Sequence, residues 1–336
     1  MSSAPTAAEI ARDAHWLAQA LDPAAGIVRL VAMTAENYRS ASFLDDRQLQ
    51  QSHEAVTVPW SEVEAAANSI RREDARWIFH IGHVGSTLVA RLLGELGTVL
   101  SIREPRFLRD LAGLDSGLLA AYCPAARRLF SRSFAPGQVS LVKATSFVSE
   151  IAESLIPSDG HALFLYATPR RYIASILAGE NSVRELHALA PDRNRRMAAR
   201  VPDPGQSGSD AGLAALAWAC EMTALEAAAE ALPNARILWI DFDQLLGDVG
   251  DNLRRIAHRL ELEANADELA MLGSSPLLKR YSKALEFDYS ASLRSDLIAE
   301  AAAHFRSEIA AALDLLAQSA ETLPLLARAL NRAEGN

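Results

Sequence analysis

The segment RWIFHIGHVGSTLVARLLGELG, residues 76–97, constrains the chain more than any other, because the hydrophobic period changes inside it. Trp77 to Ile81 is an apolar run interrupted only by His80 and has the length of a buried strand, whereas Leu88, Leu92, Leu93 and Leu96 recur at helical spacing. Between them lies Gly82-His83-Val84-Gly85-Ser86-Thr87. A strand that runs through a glycine-rich loop into a helix turns main-chain N–H groups toward the positive helix end, so these residues read as an anion-binding loop. The same small and hydroxyl-bearing residues also suit a tight turn in which Ser86 or Thr87 caps the helix.

The pattern recurs. In SLVKATSFVSEIAESL a strand ends at Leu141 and Val142; in HALFLYATPRRYIASILAGE a strand spans Ala162 to Tyr166 and Pro169 fits the first turn of a helix. A further strand is expected at 235–242 (ARILWIDF), followed by the helical LRRIAHRLEL. Apolar strands alternating with helices predict parallel crossovers and a three-layer α/β/α architecture around a central parallel sheet. Ligands of such sheets bind at the carboxyl ends of the strands.

Residues 1–70 read as a mostly helical N-terminal elaboration, with a helical pattern from Ile10 to Leu21 and capping-box spacing at Ser61 and Glu64; residues 71–336 form the α/β domain. The Pro-, Gly- and Ser-rich run 201–212 predicts a mobile loop, the Ala-rich stretches 213–232 and 299–317 predict helices, and the tail from Arg332 is expected to fray. No internal repeat is present.

With 336 residues, 50% of them hydrophobic and 22% charged, the chain can bury a large core without a staple. Its two cysteines, Cys123 and Cys220, form no CxxC pair, which argues against a zinc ribbon or a disulfide scaffold and for a reducing compartment. No leader-like apolar region opens the sequence and no stretch approaches the roughly 18 apolar residues of a membrane span, so a cytoplasmic protein with no membrane partner is expected. A net charge of −9 argues against a nucleic-acid partner and makes any anion site local. Only Lys143, Lys279 and Lys283 are lysines among 33 basic residues, which marks them as candidates for work that needs a compact ammonium charge.

The loop lacks the Gly-Lys of an ATPase phosphate loop, and its glycines have the wrong spacing for GxGxxG. Strand, then Gly82-His83-Val84-Gly85-Ser86-Thr87, then helix resembles the 5′-phosphosulfate loop of the PAPS-dependent sulfotransferases, with His83 where that family has Lys or Arg. The motif order is closest to the protein-tyrosine branch. Ile102-Arg103-Glu104-Pro105 is similar to the segment that supplies that branch's catalytic carboxylate, and Lys143 resembles its active-site lysine. LYATPRRYIAS is similar to the 3′-phosphate motif through Pro169, Arg170 and Ser175, although Ala167 stands where the motif opens with Arg. Arg171, four residues before Ser175 on one helix face, and Arg280 are candidate substitutes. Asp241-Phe242-Asp243-Gln244-Leu245 resembles a structural element of the family, and KRYSKALEF resembles a segment that returns to the nucleotide, bringing Ser282 and Lys283.

The resemblance, over about residues 75–290, implies the P-loop NTPase-like sulfotransferase fold. It also implies PAPS (3′-phosphoadenosine 5′-phosphosulfate) as donor, no metal, and a small-molecule or peptide acceptor bearing a hydroxyl or amine. The backbone of Gly85, Ser86 and Thr87 would hold the 5′-phosphate, with Gly82 and Val84 completing the loop. Lys143, with Lys283, would neutralise the bridging oxygen and the sulfonate, and Glu104 would take the acceptor's proton unless it pairs with Arg103 or Arg106. His83 can act as an imidazolium toward the departing phosphate or as a neutral base. His80 reads as a satisfied core histidine. Ala167 keeps open a second reading, a non-catalytic anion-binding relative acting as a pathway partner; a kinase-like phosphotransferase is disfavoured by the missing loop lysine. A homodimer stays open.

Overall fold

The computed structural model describes residues 4–49, 53–198, 200, 208–279 and 291–335. Three antiparallel strands, β1 (Trp16–Asp22), β2 (Ile27–Ala32) and β3 (Ala55–Pro59), form a small sheet in the order β1-β2-β3, with a bulge between Ala18 and Ala20. Five parallel strands form the main sheet: β4 (Arg76–His80), β5 (Val99–Arg103), β6 (Val139–Lys143), β7 (His161–Tyr166) and β8 (Arg236–Asp241). Their spatial order is β5-β6-β4-β7-β8, and helices cover both faces, which is the expected three-layer arrangement. The crossovers after β4 and after β6 leave on opposite sides of the central strand, so a crevice opens at the carboxyl end of β4.

The N-terminal elaboration differs from its expected mostly helical form. The Ile10 to Leu21 stretch splits into a short helix, Ala7–Arg12, and strand β1, because pairing with β2 overrides a weak helical period. Ser61 is no cap: the helix Trp60–Ser69 starts behind Pro59 and has no side-chain cap. Nor is the elaboration a separate body, since one apolar cluster runs through both parts. Buried arginines stitch them together. Arg103, 1% exposed, donates to the carbonyls of Tyr38, Arg39 and Ala41, which end the helix Ala35–Ser40, while Arg132 donates to those of Ile10 and Trp16.

Beneath the sheet the helix Asp210–Ala231 is buried almost all round, as its mostly apolar composition requires, and it carries Glu221, Thr223 and Glu226 inside with it. No described helix is long and apolar enough to cross a membrane. Arg332, expected to fray, is instead fixed: its guanidinium bonds Glu226 and lies 4.0 Å over the Trp239 ring. Of the run 201–212, residues 201–207 lie outside the described residues, and Asp210 already begins a helix.

At the opposite end of the sheet His161 is 8% exposed, with the Glu261 carboxylate 3.4 Å away. Burial, with Arg76, Arg236 and Arg259 adding to it, lowers its pKa to about 4. The unfolded chain takes up this proton near pH 6.5, before the folded chain does. The stabilisation is therefore complete above about pH 6.5 and is lost as pH falls toward 4. A Tm series across that window should fall for the natural chain and flatten for His161→Asn; equal slopes would remove His161 as the cause.

Candidate active site

The loop after β4 is built on left-handed backbone. Gly82, His83 and Gly85 have φ of 82°, 55° and 60°, and Gly85 is the residue from which the helix Ser86–Leu93 starts. A non-glycine residue held there stores strain of the kind that collects at functional positions. Ser86 and Thr87 are buried behind the loop. His80 fixes its entry: Nδ1 accepts from the Gly82 N–H at 3.0 Å, and Nε2 lies 3.0 Å from the Ala144 carbonyl, so the ring is the neutral Nε2–H tautomer.

Parallel register assembles the charged part. Lys143 at the end of β6 aligns with Ile78 on one side and Arg103 on the other, and the Glu104 N–H donates to the Lys143 carbonyl at 2.8 Å. Glu104 also has left-handed backbone, φ 53°, which turns its side chain back so that Lys143 donates to Oε1. Both are buried, at 1% and 10% side-chain exposure. The alternative partners are engaged elsewhere, Arg103 on main-chain carbonyls and Arg106 on Asp46 and Asp110. Phe43, from the N-terminal elaboration, faces Lys143 with its ring centroid 6.0 Å from Nζ.

One cavity of about 410 Å³ joins His83 and the loop to Lys143 and Glu104. That volume suits a compact organic ligand. Sequence reasoning missed its other walls. Thr145 and Ser146 follow Lys143 by two and three positions, with Phe147 next, and the two hydroxyls at a strand's carboxyl end were the available signal. Arg193 and Arg196 lie in the stretch 180–212, where the sequence leaves room for an acceptor pocket, though neither stood out singly; Glu221 was missed, and a lone Glu inside the apolar run ALAWACEMTAL was its signal.

Of the expected 3′-phosphate residues, Pro169, Arg170, Arg171 and Ser175 do not line this cavity. Pro169 opens the helix Pro169–Leu177, as expected, and Thr168 caps it. Arg170 is exposed. Arg171 and Ser175 each meet a different protein group. The Arg171 Nε lies 2.6 Å from Asp243 Oδ2, the two meeting as charges rather than through an aligned N–H, and the Ser175 hydroxyl donates to the Tyr172 carbonyl. Asp243 also faces Arg294 at 3.5 Å, and Arg294 in turn donates to the His83 carbonyl at 3.4 Å. The Phe242 ring, 5.3 Å from the Arg294 guanidinium, presses on Gly85. Arg280, Ser282 and Lys283 lie outside the described residues.

Fold and site together define a three-layer α/β protein with a glycine-rich, left-handed loop at the carboxyl end of the central strand and a buried lysine-carboxylate pair beside it. Two solved structures similar to the chain are sulfotransferases. One is the sulfotransferase domain from the curacin biosynthetic pathway, at 12% identity and a TM-score of 0.40, covering 70% of this chain and 98% of that domain. The other is mouse sulfotransferase SULT7A1 complexed with PAP, at 9% identity and a TM-score of 0.38, covering 82% of this chain and 93% of that one. No family model matches the sequence, and no curated protein does.

Proposed function

We propose that the chain is a sulfotransferase that moves a sulfuryl group from PAPS to an acceptor hydroxyl or amine. The observation that carries this reading is the convergence of the loop, His83, Lys143 and Glu104 on one cavity. The loop fits a phosphate: its glycines have the positive φ that lets backbone N–H groups turn inward, and a helix begins at Gly85. Gly85, Ser86 and Thr87 would offer those N–H groups to the 5′-phosphate. The donor supplies the sulfuryl group, and its phosphate carries away the charge of the broken S–O bond. Glu104 accepts the acceptor's proton, Lys143 orients that carboxylate and opposes the negative charge of the transferring group, and His83 faces the departing phosphate.

A second reading has its own observation. Where the 3′-phosphate would need free cations, Asp243 already neutralises Arg171 and Arg294, and Ala167 supplies no replacement. A chain with this site could bind anions in a pathway without transferring a group. Calorimetric titration with 3′-phosphoadenosine 5′-phosphate (PAP) and adenosine 5′-phosphate separates the two. Under the first reading PAP binds in the micromolar range, Asp243→Asn tightens PAP about tenfold without tightening the monophosphate, and Arg171→Ala removes the difference between the two ligands. Failure of the natural chain and of Asp243→Asn to bind PAP would favour the second reading.

A further inference from the structure

The cavity has a second polar wall that group transfer does not use. One stripe of the helix Glu180–Ala198, from Glu185 through Leu189 to Arg193 and Arg196, faces it, and Glu221 stands behind. Glu221 is 0% exposed, and only half of its carboxylate is satisfied. Its Oε1 receives Arg196 Nη2 at 3.1 Å and faces Arg193 Nε at 3.5 Å, whereas Oε2 is sealed from solvent with no hydrogen-bond partner among the described residues. Arg193, 8% exposed, mirrors this: its Nη1 is buried and unpartnered.

A third atom, the Tyr172 hydroxyl, is buried without a partner as well, on a ring that meets His83 edge-on at 6.3 Å. Burial raises the pKa of that hydroxyl, Arg193 acts to lower it, and Glu221, Glu185 and Cys220 raise it further. Each unmade buried hydrogen bond costs about 1–3 kcal/mol. A ligand group that pairs these atoms recovers that cost, and its required chemistry is readable from them. A carboxylate would accept from Arg193 but stand against Glu221. An ammonium would donate to Glu221 but stand against Arg193 and Arg196. A carboxamide, with its carbonyl on Arg193 and its N–H on Glu221, offends neither.

We propose that this wall recognises the acceptor's second polar group, and that the group is uncharged and both donates and accepts, as a carboxamide does. The proposal rests on the sulfotransferase reading for the acceptor's reacting hydroxyl, which lies at Lys143 and Glu104. Phe43 and Phe147, the latter with Arg109 and Arg196 each 5.8 Å from its centroid, then cover an apolar body between the two ends.

The test uses three phenols matched in length: 4-hydroxyphenylacetamide, 4-hydroxyphenylacetate and tyramine. Each is titrated calorimetrically into the full chain with and without PAP. The amide should bind at least tenfold more tightly than either charged phenol. Glu221→Gln should narrow the gap to the carboxylate about tenfold, and Arg193→Gln should narrow the gap to the amine; two variants guard against one that fails to fold. Equal affinities, a preference unchanged in both variants, or no binding of any phenol would overturn the proposal and leave the three buried atoms to internal water. Amide selectivity without PAP binding would instead sink the donor assignment alone.

Discussion

Replacing Lys143 with methionine should abolish most turnover, by at least about a hundredfold, and should also lower the melting temperature. The second effect comes from the site's burial. With side-chain exposures of 1% and 10%, Lys143 and Glu104 form a largely buried ion pair at the cavity wall, and removing one partner of such a pair typically costs about 3–5 kcal/mol because the other charge loses its compensation. Activity can be followed as conversion of PAPS to PAP with 4-hydroxyphenylacetamide as acceptor. Adding Glu104→Gln to Lys143→Met removes the stranded charge, so the double variant should regain most of the lost stability and none of the activity. Glu104→Gln alone keeps an oxygen for Lys143 to bond, so it should lose turnover with a smaller drop in melting temperature. Wild-type turnover in Lys143→Met would take Lys143 out of the chemistry, and a double variant no more stable than Lys143→Met would show that the pair is not coupled.

Those two residues also show where sequence stops being informative. Each was legible as a strand-end charge, yet they stand 39 positions apart, and only the parallel alignment of Arg103 with Lys143 joins them. The strand, loop and helix around Gly82 and Gly85 were legible because their signals are local: an apolar run, a pair of glycines and a change of period. The body of strand β5 was less legible than its end, because VLSIR carries Ser101 and Arg103 inside the protein, where Ser101 donates to the Ala90 carbonyl and Arg103 to carbonyls more than 60 residues away. Strand β1 was hidden for the opposite reason, since WLAQALD carries apolar residues at spacings a helix would also accept. Arg171 was legible as a base in the first turn of a helix; its carboxylate partner, Asp243, arrives from the helix that follows β8 and changes what that base is free to bind. Local chemistry is therefore readable at each position, while the pairing that gives it a function is set by register and packing.

Substituting alanine at Gly85 should cost more than the same change at Gly82, and the comparison isolates one contact. Both glycines have positive φ, 82° and 60°, so each substitution carries a backbone penalty of roughly 1–2 kcal/mol. At Gly82 a new methyl group would meet nothing nearer than Ser146 Oγ at 3.9 Å. At Gly85 it would lie 2.0 Å from Phe242 Cζ and 2.1 Å from Cε2, well inside the ring. Phe242 is 3% exposed and lies beneath the Arg294 guanidinium, so it cannot retreat without breaking that stack, and the overpacking adds roughly 1–3 kcal/mol. Gly85→Ala should therefore melt several degrees below Gly82→Ala and lose PAP binding, because the displaced loop carries the N–H groups that would face the phosphate. Phe242→Ala in the Gly85→Ala background should cost less than the two changes summed, since the ring that causes the clash is gone. Equal melting temperatures for Gly82→Ala and Gly85→Ala would mean that Phe242 does not constrain the loop. A lower value for Gly85→Ala would mean that glycine is required there twice over, for its dihedral angles and for the ring that roofs the loop.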